Sequence, residues 1–249
     1  MKLVSWNVNS LGVRMPRVLE LLGHHAPDVV LLQETKTAPD AFPEAELRAA
    51  GYHAAHHSAG QWAGVALLAR EPLTDVCAGL AGEPAVDEAR WIEATAHGLR
   101  LASLYVPNGR MIGHPEYEKK LAFLDAARER MAMLDVLAGD FNVCPADLDV
   151  YDPAAFTGST HVQPEERARF AALLDGGHVD AFRALHPGEV GFTWWDYRQG
   201  HFHRKMGLRI DAFLVSPQVA ERLVACGIDR NYRKGPKPSD HAPLLLELT

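Results

Sequence analysis

The sequence contains few cysteines and no long hydrophobic run. Cys77, Cys144 and Cys226 are far apart and form no Cys-x-x-Cys pair, which indicates isolated, reduced thiols. No apolar stretch is long enough to cross a membrane, and strand-like residues follow Met1 without the pattern of a signal peptide. We therefore expect a cytoplasmic protein that does not enter a membrane.

The sequence also lacks an excess of positive charge. Its 25 Lys and Arg residues are outnumbered by 32 Asp and Glu residues, and the formal net charge is −7. This balance argues against a protein that coats nucleic acid by bulk attraction, although it does not exclude a local basic groove or a cluster of carboxylates for a metal ion. No internal repeat, low-complexity segment or linker-like break divides the chain, so we predict a single domain over residues 1–249.

The hydrophobic pattern predicts both strands and helices. The outer parts of the chain alternate the two, whereas closely spaced strands in the middle indicate antiparallel hairpins. Pro16 is expected in the first turn of the first helix. Predicted strands cover 2–9, 28–32, 52–57, 64–70, 91–96, 99–106, 134–138, 207–215 and 244–248, and predicted helices cover 16–22, 44–50, 117–133 and 163–174. This order predicts an α/β protein with mixed sheets and helices on the outside.

The most informative stretch runs from Leu134 to Asn142. An apolar run ends at Gly139, and Asp140 and Asn142 follow it. Residues two apart on an extended segment point the same way, so these two side chains are expected to address one point at the carboxyl end of a buried strand. That pairing suits a phosphate, because the acid can take a proton from water while the amide donates to a phosphate oxygen. The alternative is that both residues only cap a turn.

Other polar residues also follow predicted strands. Asn7 and Asn9 end the first strand, Glu34 follows the second, and Tyr105 lies near the exit of a later one. Turn formation is the alternative for the two asparagines. For Glu34 a structural and a functional role are equally open, since no helix or coil role is evident.

One acid is embedded in an apolar strand and needs a partner. Asp211 lies between Ile210 and Ala212, and an unpaired charge there would be costly. His241, just before the last strand, is the obvious candidate. A carboxylate that holds an imidazole fixes its tautomer and favours its protonated form.

Aromatic and basic residues occur together after Gly191. Trp194, Trp195, Tyr197 and Arg198 precede the basic loop 201–205. This combination is expected where a protein stacks on bases and holds phosphates. The alternative is a buried tryptophan pair beside an ordinary solvated loop.

Seven of these segments together resemble the exonuclease III family of abasic-site DNA repair nucleases, within the endonuclease/exonuclease/phosphatase superfamily. They occur in the family's order and span the chain. The segments are Ser5-Trp6-Asn7-Val8-Asn9, Leu32-Gln33-Glu34-Thr35-Lys36, Tyr105-Val106-Pro107-Asn108-Gly109, Gly139-Asp140-Phe141-Asn142, Trp194-Trp195-Asp196-Tyr197-Arg198, Leu208-Arg209-Ile210-Asp211 and Ser239-Asp240-His241. Each is weak alone, but the ordered set is specific.

The resemblance implies a fold and an activity. The fold is a four-layered α/β sandwich, in which two central mixed β-sheets are flanked by helices and the site lies at one end of the sheets. The activity is Mg²⁺-dependent hydrolysis of phosphodiester bonds in double-stranded DNA. It comprises 3′-to-5′ exonuclease, abasic-site endonuclease and 3′-phosphatase action in base excision repair. Mn²⁺ is expected to replace Mg²⁺, and the substrate is DNA with abasic sites or 3′ ends, bound by a monomer.

The resemblance also assigns residues to roles. Glu34 is expected to be the principal metal ligand, with Asn7 and Asp240 close to the ion; a second ion, if bound, would lie near Asp140, Asn142 and His241. The expected catalytic residues are Asp140 to deprotonate water, Asn142 to hold the phosphate, His241 braced by Asp211 to donate to it, and Tyr105 to contact it or assist the leaving oxygen. Trp194 is expected near a flipped-out abasic sugar, with Leu208 and Ile210 as apolar walls and Arg198 near the DNA backbone.

Two segments depart from the family's pattern. Asn9-Ser10-Leu11-Gly12 stands where the family usually has Asn-Gly-Leu-Arg, and Lys205-Met206-Gly207 where it has Asn-Arg-Gly. Both changes concern expected DNA contacts and substrate preference rather than the metal site. A relative that acts on a phospholipid headgroup and an inactive binding module are the competing interpretations. The aromatic segment disfavours the first, and the presence of Glu34, Asp140 and His241 disfavours the second.

Overall fold

Two six-stranded sheets lie face to face in the computed structural model, which describes residues 1–249. The first sheet has the strand order β11-β12-β1-β2-β4-β3, and the second has the order β5-β6-β7-β8-β10-β9. Each sheet contains one parallel pair, β1 with β2 and β7 with β8, among antiparallel neighbours. Both sheets are therefore mixed, as predicted.

The regular elements are short and evenly distributed. The strands are β1 (Lys2–Asn7), β2 (Val29–Gln33), β3 (His53–His57), β4 (Val65–Ala69), β5 (Thr74–Ala78), β6 (Trp91–Ala96), β7 (Leu99–Tyr105), β8 (Val136–Asp140), β9 (Val179–Asp180), β10 (Asp211–Val215), β11 (Leu223–Ile228) and β12 (Leu244–Leu248). The helices are α1 (Leu11–His25), α2 (Glu44–Ala49), α3 (Pro115–Arg130), α4 (Pro164–Ala172), α5 (Ala181–Leu185) and α6 (Pro217–Ala220). No helix is long and apolar enough to span a membrane.

Three apolar cores separate four layers. The largest lies between the sheets and contains Leu31 of β2 and Phe213 of β10. A second joins the second sheet to α3 and α4, and a third joins the first sheet to α1 and α2. Central strands are buried on both faces, which explains their nearly continuous hydrophobic sequences. The four-layered α/β sandwich expected from the sequence is confirmed.

The first helix begins earlier than predicted. It starts at Leu11, so Pro16 lies inside α1 rather than in its first turn. Proline removes the backbone hydrogen bond to the carbonyl four residues earlier. The apolar face formed by Leu11, Met15 and Val18 is buried against the first sheet, and this packing maintains the helix across the lost bond.

Strand ends meet at one end of the sandwich. The parallel pair β1 and β2 places Asn7 beside Gln33, immediately before Glu34. In the second sheet Tyr105 is paired with Asp140, and Asp140 with Asp211. Residues that are distant in sequence are thus brought to the same end of the sandwich.

Candidate active site

A cavity of about 170 Å³ lies at this end of the sheets. Nine of its eleven lining residues are predicted site residues. The lining is Glu34, Tyr105, Asn108, Asp140, Asn142, His161, Trp194, Leu208, Ile210, Asp240 and His241. Asn7 and Asp211 lie behind it, in contact with Asp140 and His241. Arg198 does not line the cavity; its exposed guanidinium pairs with Asp196 at 2.6 Å. The roles assigned to these residues stay predictions.

Glu34 stands in a left-handed backbone conformation directly after β2. Its φ is 50°, a region that non-glycine residues seldom adopt. Asn7 Nδ2 donates to Glu34 Oε1 at 2.8 Å, and Lys36 Nζ lies 2.7 Å from Oε2. Backbone strain of this kind often accompanies functional sites, because the surrounding contacts must hold it in place.

Asp140 is the last residue of β8 and is buried. Its Oδ2 accepts from Asn7 Nδ2 at 2.9 Å, and its Oδ1 accepts from the backbone N–H of Asn142 at 2.9 Å. Burial raises the pKa of Asp140; His241 opposes this shift, whereas the carboxylates of Asp211 and Glu34 reinforce it, so that the pKa is about 8. A positive charge beside this carboxylate would favour its ionised form.

Gly139 permits the approach of the two strands before Asp140. Its φ is 148°, and a Cβ at this position would lie 2.1 Å from the backbone oxygen of Leu104 on β7. Any side chain would push β7 and β8 apart. The glycine therefore keeps Tyr105 and Asp140 in register.

His241 and Asp211 form the pair expected from the sequence. His241 Nδ1 lies 2.8 Å from Asp211 Oδ2, and His241 Nε2 lies 3.7 Å from Asp140 Oδ2. Burial disfavours the charged imidazole, but Asp211 and Asp140 outweigh it and raise the pKa of His241 to about 10. The imidazole is therefore protonated at neutral pH and presents Nε2–H to the cavity.

Asp240 and Trp194 both line the cavity and are hydrogen-bonded to each other. Trp194 Nε1 donates to Asp240 Oδ2 and Asn9 Nδ2 donates to Asp240 Oδ1, both at 3.0 Å. The backbone of Trp194 bridges to Leu208 and to His241. Trp194 is only partly buried, whereas Trp195 is buried. The alternative, in which both tryptophans are buried in the core, is therefore correct for Trp195 and wrong for Trp194.

The sequence did not reveal the residues that support Asn142. Asn142 has a φ of 52°, so it is not extended as expected. Its Nδ2 donates to the carbonyl of Val106 at 2.9 Å. Its Oδ1 accepts from Asn108 Nδ2 at 3.2 Å, and its carbonyl accepts from the buried Lys120 Nζ at 2.7 Å. Both Asp140 and Asn142 nevertheless face the cavity.

Lys120 and Glu166 form a fully buried ion pair behind the cavity. Glu166 also accepts from the backbone N–H of His161 at 3.0 Å. Burial and the nearby Lys120 lower the pKa of His161 to about 4, so its imidazole is neutral. The sequence contains one indication that Lys120 is buried. Lys120 lies on the same face of α3 as the buried Tyr117 and Leu124.

The two departures from the family's pattern lie beside this site. The backbone N–H of Ser10 donates to the carbonyl of Glu34 at 2.7 Å. Arg14 reaches Tyr197 Oη at 2.9 Å, so an arginine is present in this region although Gly12 replaces the usual one. Gly207 packs against Trp195, since a Cβ there would lie 2.5 Å from Nε1.

The cavity can accept a metal ion. The potential ligand atoms of Glu34, Asp140 and His241 all lie within 4.8 Å of one another. The carboxylate oxygens of Glu34 and Asp140 suit a hard divalent cation that retains water, whereas a protonated His241 cannot act as a ligand. Asn7 currently directs its amide nitrogen at both carboxylates, while its Oδ1 accepts from the backbone of Asn9. Its oxygen would be available to a bound ion only if the amide turned.

Acids, amides and an imidazole that converge at one end of a four-layered sandwich define a class of phosphoester hydrolases. The chain belongs to the Endonuclease/Exonuclease/phosphatase family, whose model matches residues 4–241. The resemblance seen in the sequence is confirmed.

Individual relatives are similar along their whole length. Exodeoxyribonuclease III of Haemophilus influenzae is 36% identical, with 99% of each chain covered. The structure of the 3′ phosphatase NExo from Neisseria, bound to a product DNA hairpin, matches with a TM-score of 0.96 and 40% identity, over 100% of this chain and 99% of that one. An AP endonuclease from Archaeoglobus fulgidus matches with a TM-score of 0.96 and 36% identity, over the same shares.

Proposed function

We propose that this protein is a Mg²⁺-dependent DNA repair nuclease that hydrolyses phosphodiester bonds at 3′ ends and at abasic sites of double-stranded DNA, and also removes 3′-phosphates. The observation that carries the proposal is the position of Asp140. Its carboxylate lies between Asn7 and the protonated His241, in a cavity closed on one side by Trp194. Relatives named as exodeoxyribonuclease III, 3′ phosphatase and AP endonuclease support it.

Asp140 takes the proton of the attacking water. When bound beside Glu34, Mg²⁺ supplies positive charge that favours the ionised form of Asp140 and stabilises negative charge on the phosphate. Asn7 and the backbone of Asn142 hold the two carboxylate oxygens in fixed positions. This fixed orientation favours general-base catalysis, because no reorganisation is needed when the proton moves.

His241 stabilises the phosphate as charge develops. Asp211 binds Nδ1, which leaves Nε2–H free to donate to a phosphate oxygen. Burial and the neighbouring Glu34 carboxylate raise the pKa of Tyr105, so its hydroxyl also remains a donor.

Trp194, Leu208 and Ile210 form the wall that packs against the sugar. All three line the cavity, and the bond to Asp240 fixes the plane of the Trp194 ring. A nucleotide without a base rotates out of the duplex more easily than a normal one. Arg198 lies outside the cavity, and its guanidinium reaches the DNA backbone only if its pairing with Asp196 is broken or shared.

The test uses two end-labelled duplexes, one with a single central abasic site and one with a 3′-phosphate. Incision and phosphate release are expected with Mg²⁺, and neither with EDTA. Mn²⁺ should restore activity in part. A protein that cuts neither duplex in Mg²⁺, but releases phosphate from a phospholipid headgroup, would contradict the proposal.

A further inference from the structure

Two adjacent histidines at the end of α1 meet an acid from the far end of the chain. His24 and His25 are the last residues of α1, and their ring centroids are 4.5 Å apart. Asp229 directly follows β11, and its Oδ2 lies 2.9 Å from His25 Nε2 although 204 positions separate the two residues. None of the three lines the catalytic cavity. The fold thus builds a second cluster of metal-binding side chains, away from the first.

The spacing of this cluster suits a tetrahedral metal ion. The ligand atoms of His24, His25 and Asp229 lie within 4.8 Å of one another. In a tetrahedral Zn²⁺ site with bonds of about 2.0–2.1 Å, neighbouring ligand atoms lie roughly 3.3 Å apart. The distance between His25 and Asp229 is already close to that value. His24 is exposed, so rotation of its side chain brings a ring nitrogen closer without disturbing the core.

The backbone around the cluster favours a cation and fixes the carboxylate. α1 ends at His25, and the C-terminal end of a helix carries partial negative charge. Asp229 Oδ1 accepts from the backbone N–H of Asn231 at 3.0 Å, while Oδ2 faces His25. One oxygen therefore holds the carboxylate in place, and the other is available to an ion.

A buried hydroxyl beside the cluster has no partner. Tyr232 is only 2% exposed, its ring centroid lies 5.9 Å from that of His25, and its Oη forms no hydrogen bond. Burial, with the carboxylates of Glu20 and Asp229, raises the pKa of this hydroxyl to about 12, so it remains a donor. Arg17 lies over the ring but is paired with Glu20 at 2.5 Å. A buried polar group without a partner requires an explanation, and an ion that carries water supplies one.

We propose that His24, His25 and Asp229 form a Zn²⁺ site in which water completes the coordination. Two imidazoles and one carboxylate suit Zn²⁺, whereas Mg²⁺ prefers oxygen ligands alone. The ion takes the place of the hydrogen that bridges His25 and Asp229. The site is separate from the catalytic cavity and goes beyond the proposed nuclease function.

The ion joins α1 to the segment that leads to the catalytic residues. Asp229 caps the short helical turn Arg230–Arg233. The buried Arg233 donates from Nη1 to the carbonyl of Ser239 at 2.6 Å, two residues before His241. Because the three ligands come together only in the folded chain, Zn²⁺ stabilises the native state.

The experiment titrates the wild type, His24→Gln and Asp229→Asn with Zn²⁺ by calorimetry, in a large excess of Mg²⁺ that competes for the catalytic cavity. Asp229→Asn retains a side-chain oxygen for the cap and removes the charge. We expect each variant to raise the Kd for Zn²⁺ by at least about tenfold, because loss of a partner outside the coordination sphere already costs about 10–100-fold. In NMR spectra of the wild type, the ring nitrogen resonances of His24 and His25 should shift when Zn²⁺ is added.

His97→Gln provides the matched control. His97 is also a partly exposed histidine beside a carboxylate, with Nδ1 3.5 Å from Glu71 Oε2, but no third ligand joins that pair. This variant should bind Zn²⁺ like the wild type. At one hundred times its Kd, Zn²⁺ should raise the midpoint of thermal unfolding of both proteins by about 5–10 °C, and that of His24→Gln much less. All four proteins should cut the two DNA duplexes equally with Mg²⁺, since none of the substituted residues lines the catalytic cavity.

Three results would overturn the Zn²⁺ site. Equal Kd values for the wild type and His24→Gln, with unshifted ring resonances, would exclude His24 and His25 as ligands. Equal losses in His24→Gln and His97→Gln would show general binding by surface imidazoles. A wild-type protein that binds no Zn²⁺ in excess Mg²⁺ would leave the catalytic cavity as its only metal site. In each case, cleavage of the duplexes with Mg²⁺ still tests the nuclease function separately.

Discussion

Asp140 is the side chain on which the hydrogen bonds of the cavity converge. Asn7 reaches it from the first sheet, and the Asn142 backbone reaches it from the same turn. Because both oxygens are held, a change of one atom alters the chemistry of the group without altering its shape. This makes the residue suitable for an isosteric substitution.

Asp140→Asn is expected to remove nearly all turnover, because an amide cannot accept the proton of water. DNA binding should remain largely intact. Single-turnover cleavage and anisotropy with the same duplex measure the two properties separately. Near-normal cleavage would mean that another group activates the water, and lost binding would make Asp140 mainly structural.

Asp211→Ala and His241→Ala should impair cleavage to a similar extent, and the double variant should be scarcely worse than either. The two residues are 2.8 Å apart and act as one unit, and such residues give non-additive losses. The kcat/KM values of the four proteins form the cycle that tests this. Fully additive losses would show that the pair is not coupled.

At the scale of residues, the sequence allowed prediction of the site residues that lie directly at the ends of strands. Glu34, Asp140 and His241 are polar residues next to buried strands, and polarity in such a position is visible in a sequence. Asn108 and His161 line the same cavity, but both come from loops. Their positions depend on Asn142 and Glu166, which no local pattern connects to them.

The buried ion pair of Lys120 and Glu166 links two helices behind the site. It joins α3 to α4, and Lys120 also binds the backbone carbonyl of Asn142. Removal of one member of a buried pair leaves an uncompensated charge, which typically destabilises a protein by about 3–5 kcal/mol. The connection therefore affects both stability and the position of Asn142.

Glu166→Gln should lower the free energy of unfolding at pH 7 by about 3–5 kcal/mol. Lys120→Met combined with Glu166→Leu should lower it much less, because no charge remains buried. Urea denaturation followed by circular dichroism compares the variants with the wild type. An equal loss in the single and the double variant would contradict this explanation.

The same pair has a pH signature. Burial opposes ionisation of Glu166, but Lys120 and the hydrogen bonds from Thr160 and His161 outweigh it and lower the pKa of Glu166. A lowered pKa stabilises the folded state above the unfolded value of about 4.3, and this stability is lost as the pH falls through the folded value. The difference between wild type and Glu166→Gln should therefore shrink below about pH 4.

At the scale of elements, the central strands could be predicted and most edge strands could not. β5 is exposed throughout, β9 has only two residues, and β11 has a single buried residue; all three lie at sheet edges. A strand buried on both faces has a hydrophobic run, whereas an edge strand depends on backbone pairing that leaves little trace in composition. α1 begins five residues before Pro16, because its buried apolar face outweighs the preference of proline for the first turn of a helix.

The whole molecule depends on the interface between its two sheets. The largest apolar core lies there, and the Asn7–Asp140 bond crosses it at the catalytic end. Neither sheet can bury its inner face without the other. The single domain, expected because no linker-like break divides the chain, stays a prediction, and this mutual dependence is consistent with it.

Thermal unfolding should therefore be a single cooperative transition, with the same midpoint by circular dichroism and by tryptophan fluorescence. The reason is that both sheets lose their shared core at once. Two resolved transitions, one for each sheet, would divide the chain into two domains.

Mg²⁺ should raise the midpoint of that transition. A ligand at one hundred times its Kd stabilises the native state by about 2.7 kcal/mol, and each kcal/mol corresponds to roughly 2–4 °C for a chain of this size. Glu34→Gln should require more Mg²⁺ for the same shift and for the same activity, because one anionic ligand is lost. An unchanged Mg²⁺ titration would remove Glu34 from the metal site.

The bonds around the cavity also join positions that are far apart in the chain. Asn7 bonds to Asp140, 133 positions away, and Trp6 Nε1 donates to the carbonyl of His241, 235 positions away. During synthesis, β1 and Glu34 emerge long before their partners exist. A polypeptide interrupted between Asp140 and His241 carries the acids that could hold a cation but lacks the imidazole that completes the site. We therefore expect a chain that ends before His241 to be inactive.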